Sequence, residues 1–195
     1  SFSEGGLPLG AQNVFYKEEG AFTGEVSALM LKDLKVKYVI LGHSEVRKNL
    51  QETDEIINKK IKEVLAAKLT PVICVGEQQN QDKLAILEQQ ISGVFKNITA
   101  KAAKQVMIAY EPVWAIGSGH NCSIEETMSS LLLIRKIISK LYSKDLASSI
   151  KIIYGGSVNA KNAGSYITEA DADGLLVGGA SLDAKEFVSV VKSVN

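Results

Sequence analysis

Two side chains in this sequence stand where proton chemistry could be done. Glu111 ends the apolar run VMIAY and is followed at once by Pro112. A carboxylate there must be solvated by a cleft or paired, because an isolated buried carboxylate is costly. It is therefore either a general acid–base residue in a site or half of a structural ion pair. His43 closes another apolar run, in LGHSE. An imidazole at that place fits proton transfer, but a lone histidine there is more often a hydrogen-bonded core residue. Near the C-terminus, YGGSV and LVGGASL are two glycine-rich ends of apolar runs separated by one short helical unit. Glycine lets backbone N–H groups approach an anion, and a helix N-terminus behind them adds a favourable dipole. Their plainer reading is a pair of tight turns.

The acid is followed by a stretch with its own mechanical character. Pro112 and Trp114 make a stiff segment with a large anchoring ring, and Gly117 and Gly119 supply freedom a few residues on. Such a combination suits a lid that moves as a piece between hinges. The alternative is a core tryptophan followed by a plain GSG loop. His120 reads as a surface residue of that loop.

Elements must hold these groups in place. Six short runs rich in Val, Ile, Leu and Tyr recur: PLGAQNV, KYVILGH, TPVICVG, VMIAYEPV, IKIIYGG and ADGLLVGG. None alternates with polar residues, which suits strands buried on both faces of a parallel sheet. Between them lie segments with apolar residues at helical spacing, such as ETDEIINKKIKEVLAAKL and Ile124 to Leu141. Thr53 with Glu55, and Ser123 with Glu126, mark two helix starts, and DAKEFVSVVKSVN reads as a final helix. The charge-rich KNLQETDEIINKK reads as a solvated helix face. Strand, loop and helix repeated six times predict an α/β fold with right-handed crossovers.

An open doubly wound sheet and a closed (β/α) barrel both satisfy that pattern. The glycine-rich dinucleotide fingerprint is missing after the first strand, which argues against a nucleotide-binding open sheet. In either arrangement the candidate site lies at the carboxyl ends of the strands. Those ends carry Gln12 and Asn13, His43 and Ser44, Glu77, Glu111, Gly155 to Ser157, and Gly178 with Gly179. No composition shift or low-complexity linker divides the 195 residues, so one domain over 1–195 is expected.

Bulk properties narrow the partners. With 22 basic and 22 acidic side chains and zero formal net charge, the chain offers no electrostatic reason to bind nucleic acid or an anionic membrane. Cys74 and Cys122 have no metal-ligand or redox spacing and read as reduced thiols, Cys74 in the core. No metal and no cofactor are expected. With no long apolar segment and no signal peptide, a cytoplasmic protein is the expectation. The chain opens on Ser1 rather than Met, an expectation of processing at the N-terminus.

GAQNVF with GAFTGEVSA, YVILGHSE, AYEPVWAIGSG, IIYGGSV and DGLLVGGASL, in this order, closely resemble the triosephosphate isomerase family. The resemblance covers essentially the whole chain. It implies an isomerase that interconverts dihydroxyacetone phosphate and glyceraldehyde 3-phosphate through an enediolate, on a TIM barrel. The resemblance also assigns roles, residue by residue: by it Glu111 is the general base and His43 the neutral electrophile. By it, too, Gly117, Ser157, Gly178 and Gly179 grip the phosphate, and Glu45 is a supporting carboxylate beside His43. The implied lid is Pro112, Val113, Trp114, Ala115, Ile116, Gly117, Ser118 and Gly119. Phe22, Thr23, Gly24 and Glu25 match the loop that inserts into a neighbouring subunit, so a triose phosphate and a second copy of the chain are the implied partners.

The sequence also departs from the family pattern. The barrel has eight strands and typically about 250 residues. Here PLGAQNV matches the third strand, so the expected fold is an incomplete (β/α)8 TIM barrel of about six parallel strands. The family's first-strand lysine has no match among these residues. Loss of one preorganised donor typically costs roughly 10²–10³ in rate, so weakened or lost activity is an expectation, with a silent self-associating barrel fragment as its alternative. Open strand edges favour self-association. The arginine that pairs with the loop glutamate in the family is replaced by Val46, with Arg47 next. The second lid hinge reads GHNC, where the family has a lysine, a threonine and a small residue.

Overall fold

The structure is a computed structural model and describes residues 6–116 and 121–194. In chain order its elements begin with strand β1 (Leu9–Ala11), helix α1 (Ala28–Asp33), β2 (Val36–Leu41), α2 (Ser44–Asn49), α3 (Asp54–Ala66) and β3 (Thr70–Val75). They continue with α4 (Lys83–Val94), α5 (Ala100–Ala103), β4 (Met107–Tyr110), α6 (Ile124–Leu141), α7 (Lys144–Ser149), β5 (Lys151–Tyr154), α8 (Ala163–Thr168) and α9 (Ala184–Ser193). The strands form a parallel sheet in the order β1-β2-β3-β4-β5. The chain divides into two compact units, Ser1–Cys74 with Ser92–Met107, and Val75–Ile91 with Ile108–Asn195.

Local chemistry explains where the helices start. Ser27, Thr53, Thr99, Ser123 and Ser143 each accept a backbone N–H of the first turn on the side-chain oxygen, Ser123 from Glu126 at 3.1 Å. Asp183 does the same for α9, from Glu186 N–H at 2.8 Å. Each such cap satisfies a donor that the helix cannot satisfy internally. Helix α6 spans the segment expected from its spacing, and Leu131, Ile134, Ile137 and Ile138 point inward.

In the first unit, β1 pairs with β2 and β2 with β3, for example Ile40 opposite Val72. Val39, Leu41, Ile57, Ile61, Val64 and Ile73 form its buried core. The charge-rich segment is not simply a solvated face. Asn58 and Lys60 of α3 are buried. Asn58 Nδ2 donates to Val94 O at 2.7 Å and Lys96 O at 2.9 Å. Lys60 pairs with Glu52 and donates to Asn13 Oδ1 at 2.7 Å. Both side chains are buried because each donor has a fixed acceptor, which offsets desolvation.

In the second unit, Ile108, Tyr110, Ile134, Ile138, Ile152 and Tyr154 lie in the core, with the Tyr154 and Tyr166 rings stacked at 4.0 Å. The carboxyl ends of the strands are laddered. Val75 O accepts from Glu111 N–H, and Tyr110 O from Gly155 N–H, both at 2.8 Å. The sixth expected strand, ADGLLVGG, is reduced to one parallel bridge between Leu175 and Tyr154, continued by Leu176 N–H to Tyr154 O at 2.8 Å. Glycines 174, 178 and 179 leave only three residues between them, too few for a full strand. No helix among the described residues is long and apolar enough to cross a membrane.

Candidate active site

Glu111 follows the last residue of β4 and is 1% exposed. Two glycines make its place. A side chain at Gly76 would overlap the Glu111 carbonyl group, and a Cβ at Gly155 would lie 3.0 Å from Glu111 Cγ. Removing side chains from both neighbouring strand ends lets the backbones close around the acid. The same row continues, since the Gly155 position is 3.6 Å from Leu176 Cβ. Glu111 thus stands beside the strand end that opens the YGGSV turn.

Beyond it, Pro112 leads into a 3₁₀ turn, Val113–Ala115. That turn is tied to Glu77 by two bonds: Trp114 Nε1 donates to Glu77 Oε1 at 3.1 Å, and Val113 N–H to Glu77 O at 3.0 Å. Glu77 is 3% exposed and also accepts from Tyr110 Oη, at 3.0 and 3.3 Å to its two oxygens. Lys83 Nζ stands 3.9 Å from Glu77 Oε1 and donates to Glu126 Oε1 and Ser130 Oγ at 3.0 Å each. Burial pushes the Tyr110 phenol well above the ordinary tyrosine range, so it stays a donor to this carboxylate. Ala115 is fully buried and Ile116 closes the turn. Of the expected lid, Gly117, Ser118 and Gly119 lie outside the described residues, as does His120.

The glycine-rich turns are locally well specified. Asn162 Nδ2 donates to Ser157 O at 3.1 Å, and Asn159 N–H to Asn162 Oδ1 at 2.8 Å. Gly178 O accepts both the N–H and the hydroxyl of Ser181, at 2.8 and 2.7 Å. Gly178 and Gly179 face open space where a side chain would be. Their exposed backbone therefore remains approachable. Tyr166 Oη donates to Cys122 O at 2.7 Å, which fixes the chain ahead of α6. Burial raises the Cys122 thiol to about 11, so it is not a thiolate nucleophile near neutral pH.

In the first unit, β2 ends at Leu41 and Gly42 turns the chain at φ +68°. His43 then caps α2, its Nδ1 accepting from Glu45 N–H at 3.3 Å. A ring nitrogen that accepts carries no proton, so in this arrangement Nε2 is the N–H donor. Glu45 acts on His43 through its backbone, since its exposed carboxylate is 4.0 Å from Nδ1. Phe22 packs against Phe15 at 4.7 Å between ring centroids, and Glu25 N–H closes a turn on Phe22 O at 3.0 Å. Thr23 and Gly24 complete that exposed loop. Arg47 pairs with Asp54 at 2.6 Å.

Among the described residues no group of three or more His, Cys, Asp or Glu is arranged to hold a metal ion. The end of β4 offers a buried carboxylate; separately, the turn after β2 offers a ring N–H donor. The residue that sequence reasoning undervalued is Glu77. Its signal was present, an acid at the end of TPVICVG, but its partners Tyr110 and Trp114 are far along the chain.

The family model described as triosephosphate isomerase matches residues 2–194. The chain belongs to the triosephosphate isomerase family. It is 46% identical to the triosephosphate isomerase of Alkaliphilus oremlandii over 189 residues, 95% of this chain and 76% of that protein. To the triosephosphate isomerase of Chloroherpeton thalassium it is 45% identical over 194 residues, covering 97% and 77%. The match to that of Dictyoglomus turgidum is 42% over 191 residues, covering 96% and 77%. The chain thus spans about three quarters of the length of these triosephosphate isomerases. Its family is a family of isomerases, and the parallel α/β fold agrees with it.

Proposed function

We propose that this chain interconverts dihydroxyacetone phosphate and glyceraldehyde 3-phosphate, with Glu111 as the base and His43 as the electrophile. The observation that carries the proposal is Glu111 itself, in the family's AYEPVWAIGSG motif, buried at a strand end shaped by Gly76 and Gly155. In water a carboxylate of pKa about 4 is a poor base, and exclusion of water raises its basicity. Glu111 removes a proton from the carbon beside the substrate carbonyl, and the electron pair forms an enediolate. The Nε2–H of His43 donates to the oxygen where charge develops, and passes the proton between the two oxygens. Glu111 then returns its proton to the neighbouring carbon. The proton taken equals the proton given back, so the reaction needs no cofactor.

In the same proposal, backbone N–H groups at Gly117, Ser157, Gly178 and Gly179 hold the phosphate, and the segment from Pro112 to Gly119 closes over it. Titration with a phosphate-bearing substrate mimic checks this: no binding at millimolar concentration would remove the phosphate cradle. The proposal places the protein in the reducing cytosol, in keeping with two free buried thiols, and fractionation of cells tests that location. It also includes self-association through the exposed loop from Phe22 to Glu25, near the exposed Val26, Leu29 and Met30. A monodisperse monomer at micromolar concentration in light scattering would remove this part.

A coupled isomerisation assay tests the centre of the proposal. Glu111→Gln is expected to lower turnover by about 10³-fold, the contribution typical of a positioned general base, while Glu111→Asp retains part of it. Turnover that survives the Gln change unaltered would sink the reading. The same assay measures how much of the isomerase rate these 195 residues deliver.

A further inference from the structure

We propose that Arg47 is a positioning residue for His43, holding the peptide groups on both sides of it. This rests on the reading of His43 as the electrophile. On one side, Arg47 Nε donates to Gly42 O at 2.8 Å. On the other, the backbone N–H of Arg47 donates to His43 O at 2.9 Å. One residue therefore fixes the two carbonyls that bracket the imidazole's own backbone. The guanidinium is itself anchored twice more, by Nη1 to Asp54 Oδ1 at 2.6 Å and by Nη2 to Cys74 O at 3.3 Å. Asp54 is rigidly placed as the first residue of α3, behind the Thr53 cap.

The need for such a bracket follows from Gly42. At φ +68° it makes a turn that glycine adopts readily, but glycine also has several other backbone wells within reach. A free peptide between Gly42 and His43 could rotate, and the imidazole would swing with it. The bond from Nε selects one orientation of that peptide. With it set, Nδ1 meets Glu45 N–H and the ring proton stays on Nε2. Only arginine reaches Gly42, Asp54 and Cys74 from one planar fork; lysine is a compact point donor and cannot. Asp54 neutralises the guanidinium beside the strand end. The bracket thus fixes direction without adding net charge there.

The test uses the full chain and the variant Arg47→Lys. Misplacing a catalytic group by about 1 Å can cost about 10²-fold, so kcat is expected to fall about 10- to 100-fold with KM nearly unchanged. The decisive reading is non-additivity. In a His43→Gln background, Arg47→Lys should lower the residual rate by less than about twofold, because the side chain it positions is gone. The chain has two histidines, so labelled imidazole nitrogens give a second reading: one of the two signals should shift in Arg47→Lys. A folded Arg47→Lys with wild-type kcat, an equal fold-loss in both backgrounds, or two unmoved imidazole signals would each overturn the proposal. If Arg47→Lys does not fold, Asp54→Asn releases one anchor and leaves Nε on Gly42. It should shift the same signal and lower kcat more modestly, and no change in either would overturn the bracket. Wild-type turnover in His43→Gln would instead defeat the assignment of His43 itself.

Discussion

The strand end that carries His43 and the strand end that carries Glu111 are built by opposite means. Around His43, side chains do the holding: a guanidinium on Gly42 O, an Asp54 carboxylate behind it, and a ring nitrogen capping a helix. Around Glu111, the neighbouring positions have no side chains, and backbone approaches backbone across Gly76 and Gly155. The second unit does own an arginine clamp of the same design. Arg135 donates to Ala147 O and Ile150 O at 2.7 and 3.1 Å and to Asp173 Oδ2 at 2.8 Å. That clamp lies at the start of β5, however, and secures the amino end of the strand. In the proposed roles the difference has a purpose: a hydrogen-bonding group at His43 needs a fixed direction, which polar anchors give. In the same roles a base at Glu111 needs close packing, which glycine at positions 76 and 155 allows.

This contrast can be broken by matched substitutions. Gly76→Ala should be the more damaging, about 3 kcal/mol in denaturant unfolding, because the new methyl meets the Glu111 backbone, which cannot step aside. Gly42→Ala should cost about 1 kcal/mol, since it strains a positive φ but meets the movable Ile57 Cδ1 at 2.7 Å. Equal costs would mean that the two ends are not built differently. Between these two in size, Glu77→Gln should cost about 2 kcal/mol, as its amide would face the Tyr110 and Trp114 donors. Trp114 is the only tryptophan, so its fluorescence should shift in the folded variant, and an unshifted spectrum would remove Glu77 as its anchor.

A last effect concerns pH. Burial pushes the Asp173 carboxyl up, but the Lys151 hydrogen bond, the Ile152 N–H and the charges of Lys151 and Arg135 outweigh it and hold the group below the ordinary 3.8. A folded pKa below the unfolded one means stability that is present in full above about pH 4 and lost as pH falls through the lowered value. Asp173→Asn should therefore cost about 1 kcal/mol at neutral pH, discounted for the exposed Lys151 arm, and the gap from wild type should close in acid. A gap that persists unchanged into strong acid would show that the cluster is not an ionic one.

Much of this was legible in the residues. The apolar spacing and Ser123 marked α6 from Ile124 to Leu141, because helical period and cap are local signals. The strand ends and the family motifs marked Glu111 and His43 as candidates, and the roles given to them are those of the proposal. The buried Lys60 and Asn58 were not legible. Their spacing looks like a solvated face, and only the acceptors at Asn13, Glu52, Val94 and Lys96 make burial tolerable. ADGLLVGG looked like a sixth strand because its apolar content matches the others, while its glycines shorten the extended part to a bridge. Glu77 was visible as an acid at a strand end, but a hydrogen bond to an indole some dozens of residues away leaves no trace in local pattern.

The Glu111 carbonyl occupies the volume where residue 76 would place its first side-chain carbon. A selection that asked this protein only to fold, and never to turn over a substrate, would therefore still return glycine at that place. Such a selection would record the geometry of two neighbouring strands, and a screen that scores positions by mutational intolerance alone would mistake a packing constraint for a chemical one.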